Sequence, residues 1–225
     1  MLKFARLGCA AVRAAILPLP VAFLLLFLLA GSVIAAGTAS GARQCVTDIG
    51  LAVDRADAAA FERLVDVDTI LAAALDIFVQ RARDPRVAEE LPPMLAILFA
   101  QAAPGEQGNA TVRAVLLSES RAFVMNGISS GAFAGRRVEG RAAQGVLAPL
   151  FADASTGRKE VWQVGEARAK NGDWLVPFTV YDHGNGENYR VTGRVRFNDG
   201  KARLVAVENL DALMGQVADE SRSMQ

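Results

Sequence analysis

The chain has 225 residues, with 24 basic and 24 acidic side chains, a single histidine and two cysteines. This balance excludes the strong one-signed field by which a protein gathers nucleic acid. One histidine and two cysteines also exclude a histidine- or cysteine-rich metal centre, so neither metal nor cofactor is expected. Hydrophobic residues reach 52%, but the excess lies in the first 42 residues, leaving about 180 for one ordinary domain.

From Ala14 to Ala42 no residue is charged, with Lys3, Arg6 and Arg13 before the run and Arg43 after it. Its strongest part, residues 17–36, is long enough to cross the roughly 30 Å of a bilayer as a helix. A cleaved signal has a shorter apolar region of about 7–15 residues. The sequence therefore favours a retained transmembrane anchor over residues 1–42. The basic amino end would stay in the cytoplasm and residues 43–225 would lie outside. The alternative is a cleaved signal, with Val33-Ile34-Ala35 or Ser40-Gly41-Ala42 as the site and a secreted or periplasmic product. Arg43, two residues before Cys45, argues against lipid attachment. Cys9 and Cys45 flank the run, so a spanning segment forbids a bridge between them.

The next stretch reads as helical over 46–155. Ile49, Val53, Phe61, Leu64, Val65, Ile70, Leu71, Leu75, Phe78 and Val79 recur at helical spacing. Asp66 or Asp68 can cap a helix, and Asp84-Pro85 is a cap followed by a first-turn proline. Pro92-Pro93 restarts a helix, and Asn109 can cap another through Val112, Leu116 and Phe123. Residues 126–137 read as a glycine- and serine-rich loop, and residues 142–155 as a last short helix.

Within this stretch Ile49, Ala52, Asp57, Phe61, Val65-Asp66 and Ile70-Leu71 form a pattern. Over residues 49–83 it resembles an uncharacterised bacterial family of small membrane-anchored proteins, in which a short spanning helix precedes a helix pair. The resemblance implies an anchored, exported domain at the bacterial inner membrane, and it carries no catalytic residue with it.

From residue 158 the period changes to two. Four strand-like runs, within 158–210, are separated by Asn171-Gly172-Asp173, by residues 183–188 and by Asn198-Asp199-Gly200. In the third run Tyr189, Val191, Val195 and Phe197 share one face, while Arg190, Thr192, Arg194 and Arg196 share the other. Residues 210–221 close the chain as a helix. The fold class expected is α+β: a helical layer packed on a four-stranded antiparallel meander, similar in architecture to the cystatin-like and nuclear-transport-factor-like folds.

Candidate site residues are few. Gly127-Ile128-Ser129-Ser130-Gly131 fits the G-x-S-x-G of α/β-hydrolases, making Ser129 a formal nucleophile. Its helical surroundings and the absence of βα units point instead to a helix-ending loop. His183, beside Asp182, is a candidate proton-transfer group. Trp162, Trp174, Tyr181 and Tyr189 could line a ligand pocket between sheet and helices, or could fill the core. The arginine stripe could meet anionic groups such as lipid headgroups. The expectation is a membrane-anchored, non-enzymatic module for an envelope protein or a small apolar ligand. The alternative is a small enzyme using His183 and a nearby carboxylate. The protein is expected to stay in the membrane fraction through carbonate washing. A mature amino terminus near Gly37 or Arg43 would contradict that.

Overall fold

The computed structural model describes residues 37–105, 108–138, 145–148 and 157–223. The expected spanning helix, and most of the short helix expected over 142–155, lie outside the described residues. The domain is α+β, with seven α-helices and a five-stranded antiparallel sheet among the described residues. The helices are α1 (Ala39–Asp54), α2 (Ala58–Leu64), α3 (Val67–Arg81), α4 (Pro85–Glu90), α5 (Pro93–Gln101), α6 (Ala110–Ser129) and α7 (Leu210–Ser223). The strands are β1 (Lys159–Trp162), β2 (Arg168–Lys170), β3 (Asp173–Asp182), β4 (Glu187–Asn198) and β5 (Lys201–Val207).

The helix starts follow from capping chemistry. Side chains of Thr38, Asp57, Asp66, Asp84 and Asn109 accept from backbone N–H groups at the starts of α1, α2, α3, α4 and α6. Between α1 and α2 the continuous apolar periodicity is broken at Ala56, whose φ of 58° is left-handed. Between α2 and α3, Val65 is extended. Helix α1 begins at Ala39, and Ala42 is fully buried, so residues 39–42 belong to the folded domain's first helix.

The four-stranded sheet expected from sequence is five-stranded because its first lane is cut in two. β1 pairs with the Thr179–Asp182 part of β3, and β2 with its Asp173–Leu175 part. The break lies opposite Pro177. Its carbonyl accepts from Gly165 N–H at 2.8 Å, on the side where its own missing N–H would have faced the same neighbour. Gln163 turns out of the strand with a φ of 50°. The remaining order is β3–β4–β5. Asn171-Gly172 and Asp199-Gly200 make the tight turns, all four residues having positive φ. The far edge, β5, is covered by the α2–α3 junction, where Asp66 N–H donates to Leu204 O at 2.8 Å.

One face of the sheet is closed. Ala42, Cys45, Val46 and Ile49 of α1 pack with Val176, Phe178, Val191, Val195 and Leu204 in a single buried cluster. Val46, Val176 and Val195 have no exposed surface. A second cluster joins α3, α5 and α6 through Leu75, Val79, Leu95, Phe99 and Leu116. It leaves Met94 and Ile97 of α5 exposed.

The chain enters this core through a clamp. Trp174 Nε1–H donates to the Gly37 carbonyl at 3.0 Å. A Cβ on Gly37 would lie 1.8 Å from the Phe197 ring, so only glycine fits there. Leu204→Ala is expected to cost about 2–5 kcal/mol, as for a buried leucine, and Arg190→Ala to stay within about 0.5 kcal/mol. Denaturant unfolding of the two variants checks the order; the reverse order would mean that the arginine face is the buried one.

Candidate functional site

The register sorts the sequence candidates onto opposite faces. Trp174 pairs with Val195 and Tyr189 with Val180, so both point to the helices. Trp162 pairs with Thr179 and Glu160 with Tyr181, so these four lie on the other, outer face. The four aromatics therefore do not converge on one pocket. Trp174 and Phe197 pack against the buried cluster, as part of the core. Tyr189 donates to Glu220 Oε2 at 2.6 Å and accepts from Asn185 Nδ2 at 2.8 Å, tying α7 to the sheet. Burial, together with the Glu220 bond, pushes the Tyr189 phenol far up.

At the outer corner of β1 and β3, three side chains do meet. Glu160 Oε2 lies 2.8 Å from His183 Nε2. The Tyr181 ring stands edge-on to the imidazole, with centroids 4.6 Å apart and planes at 75°. The backbone fixes the partners: His183 N–H donates to Arg158 O at 2.9 Å, directly beside the strand that carries Glu160. The hydrogen bond from His183, and then the charge of Arg158, hold the Glu160 carboxyl below its ordinary range. Arg158 itself donates to Asp54 at the end of α1, at 3.2 Å. Trp162, two residues along, is 42% exposed.

Asp182 is not the partner of His183. Alternation turns it to the inner face, where it is 4% exposed and held by Lys159 Nζ at 2.6 Å and by Gly184 N–H at 2.9 Å. The carboxylate that meets His183 is Glu160. Sequence reasoning missed it, because a contact across 23 residues depends on strand register; the facing of β1 and β3 was its only signal. Ser129 is the last residue of α6, exposed, with its hydroxyl turned back to Asn126 O at 3.4 Å. Gly127 lies inside that helix, so the pentapeptide forms a helix end and not a strand-to-helix elbow. A fluorophosphonate probe is expected to leave Ser129 unlabelled.

The other end of the outer face is an arginine–carboxylate lattice. Arg196 holds Asp173 through two bonds, 2.9 and 2.8 Å, and Asp173 is 7% exposed. Glu208 bridges Lys170, at 2.8 Å, and Arg194. Arg203 donates to Val65 O at 3.2 Å and Glu62 O at 3.4 Å. Bonding to Arg196 lowers the Asp173 pKa despite burial, and Lys170, followed by Arg194, does the same for Glu208. A carboxyl with a lowered folded pKa contributes stability above its unfolded pKa of about 3.9 and loses it as pH falls through the folded value. Asp173→Asn should therefore lower stability at neutral pH and flatten the acid limb of the stability profile. Thermal unfolding measured from neutral pH to below pH of about 3 checks this; an unchanged acid limb would assign the acid sensitivity elsewhere.

Cys45 is 2% exposed, and its pKa is pushed up to about 11 by burial and then by Asp48. The fold thus closes off this thiol. Labelling with a maleimide is expected only after unfolding. No cluster of three metal-binding side chains occurs among the described residues, and no described helix is long and apolar enough to cross a membrane. Comparison with family models, with curated proteins and with solved structures finds no match.

Proposed function

We propose that the protein is a membrane-anchored, exported, non-catalytic module that binds a partner in the envelope through its outer sheet face. The contact centre is the corner of Trp162, Tyr181, His183 and Glu160. The observation that carries this reading is Trp162, 42% exposed on a strand whose inner-facing Val161 packs against the core cluster. Large aromatics with a polar handle dominate binding surfaces because they desolvate much area at little entropic cost. Pro177, Arg190 and Arg196 are exposed on the same face. The helix α1 lying along the inner face supports the cystatin-like or nuclear-transport-factor-like architecture as a frame. A small apolar ligand is placed at this outer corner, since α1 packs against the inner sheet face.

The anchor rests on residues 17–36 as a sequence feature. Cleavage after Ala42 would remove the Thr38 cap, the fully buried Ala42 and the Gly37–Trp174 bond. The domain's own packing thus favours a chain that retains these residues. Export places the module outside the cytoplasm at the bacterial inner membrane.

A second reading, a small enzyme, is favoured by the 2.8 Å contact of Glu160 with His183. A carboxylate-oriented imidazole can take and return a proton. The two readings separate with a photoreactive residue placed at position 162 in cells. The binding module predicts one dominant adduct in the membrane fraction, none from position 86 on α4, and roughly tenfold less adduct when Tyr181→Ala removes the neighbouring ring. His183→Gln would weaken that adduct only modestly. Equal adducts from both positions would sink the reading. A substrate turnover abolished by His183→Gln would replace it with the enzyme.

A further inference from the structure

Charge is distributed unevenly along the outer face. Arg168, Lys170, Arg194, Arg196, Lys201 and Arg203 crowd the end where β2, β3, β4 and β5 meet their tight turns. Asp173, Glu208 and Asp66 lie among them, so cations outnumber carboxylates there, while the other end carries Glu160 and His183 with Arg158 and Arg190. Asp173 and Tyr181 mark the two ends along β3, a separation of roughly 26 Å at the rise of a strand.

At the basic end Arg196 and Arg203 are directly opposite across β4 and β5. Like charges in that position oppose folding. Arg196 is held along one edge of its guanidinium by Asp173, and Arg203 through one Nη nitrogen by the carbonyls of Glu62 and Val65, with the Asp66 carboxylate 3.9 Å away. The lattice fixes the arginines without using all their donors; the Nε of Arg203 is buried with no acceptor. Arg194, Arg196 and Arg203, with Asn198 and Thr69, line a shallow depression of about 290 Å³.

The same end holds the point where the chain enters the domain. Gly37 is clamped by Trp174 and Phe197, the immediate neighbours in sequence of Asp173 and Arg196. Ala36 ends the apolar run, so no linker separates that run from the clamp. If residues 17–36 span the bilayer, the clamp lies at its surface, within reach of the headgroups.

We propose that the basic end of the sheet docks on anionic phospholipid, with the arginine-lined depression receiving a headgroup phosphate. This rests on the anchored reading above. The ligand chemistry follows from the donors: three guanidinium groups, an amide and a hydroxyl line the depression with the carboxylate of Asp66, while Glu208 and Asp173 engage only part of the Arg194 and Arg196 guanidiniums. Docking would hold the Trp162 corner away from the membrane, free for a partner.

The test uses the full chain in nanodiscs of phosphatidylcholine alone, or of equal parts phosphatidylcholine and phosphatidylglycerol. The reading is amide exchange over the turn from Asn198 to Lys201. Exchange is expected to slow by about fivefold or more on the anionic discs, the worth of one or more basic residues at such a surface. The effect should vanish in the double variant Arg196→Gln, Arg203→Gln and persist in Arg190→Gln. Equal exchange on the two discs would overturn the proposal and leave the anchor intact. Equal slowing by inorganic phosphate on neutral discs would also overturn it, assigning the depression to a soluble anion. A chain that does not stay in the discs would instead refute the anchored reading.

Discussion

The packing of α1 on the inner face of the sheet governs the rest of this structure. Ala42, Cys45, Val46 and Ile49 occupy the space against Val176, Phe178, Val191 and Val195. Burial on this scale removes much apolar surface from water and fixes the strand register, because a one-residue slip would bring the arginines under the helix. With α1 packed on that face, the accessible titratable and aromatic groups of β1 lie on the opposite one. The same packing buries Cys45 and leaves Trp162 in solvent.

Several features pull the ends of the domain onto this core. The Gly37–Trp174–Phe197 clamp ties down the entering chain, and Tyr189–Glu220 ties down α7. Arg81 adds a second tie to α7 through Asp211, at 2.7 Å, though such an exposed pair contributes little by itself. The α2–α3 junction covers the β5 edge, where Arg203 satisfies the last carbonyls of α2. Arg203 thus takes part in closing an edge and also in the basic end of the outer face.

Much of the fold could be read from the residues. Period-two alternation from Tyr189 to Phe197 identified the buried and wet faces of β4 correctly, because strand geometry leaves no other choice. Asp84-Pro85, Pro92-Pro93 and Asn109 marked helix starts for local, chemical reasons. Pro177 bears on the interrupted edge lane, since a proline inside a strand removes a ladder donor, but the four strands expected from sequence made no use of it. Ala56 gave no such signal: its left-handed turn closes the end of α1, with Asp57 N–H donating to Ala52 O at 2.9 Å, and alanine does not favour it. The site was less legible. The Glu160–His183 contact and the separation of Trp162 from Trp174 depend on which strands pair and in what register. Single-strand patterns cannot supply that, and Asp182, nearest in sequence to His183, was therefore the wrong carboxylate to pair with it.

The proposed binding function resides on the outer face at the Trp162 corner. Hydroxyl-radical footprinting of the protein in native membranes, compared with the purified chain in detergent, tests it most directly. Trp162 and Tyr181 are expected to become protected in the membrane while Met94 and Ile97 on α5 stay as reactive as before. Protection confined to Met94 and Ile97, with Trp162 unchanged, would place the partner on the helical side instead.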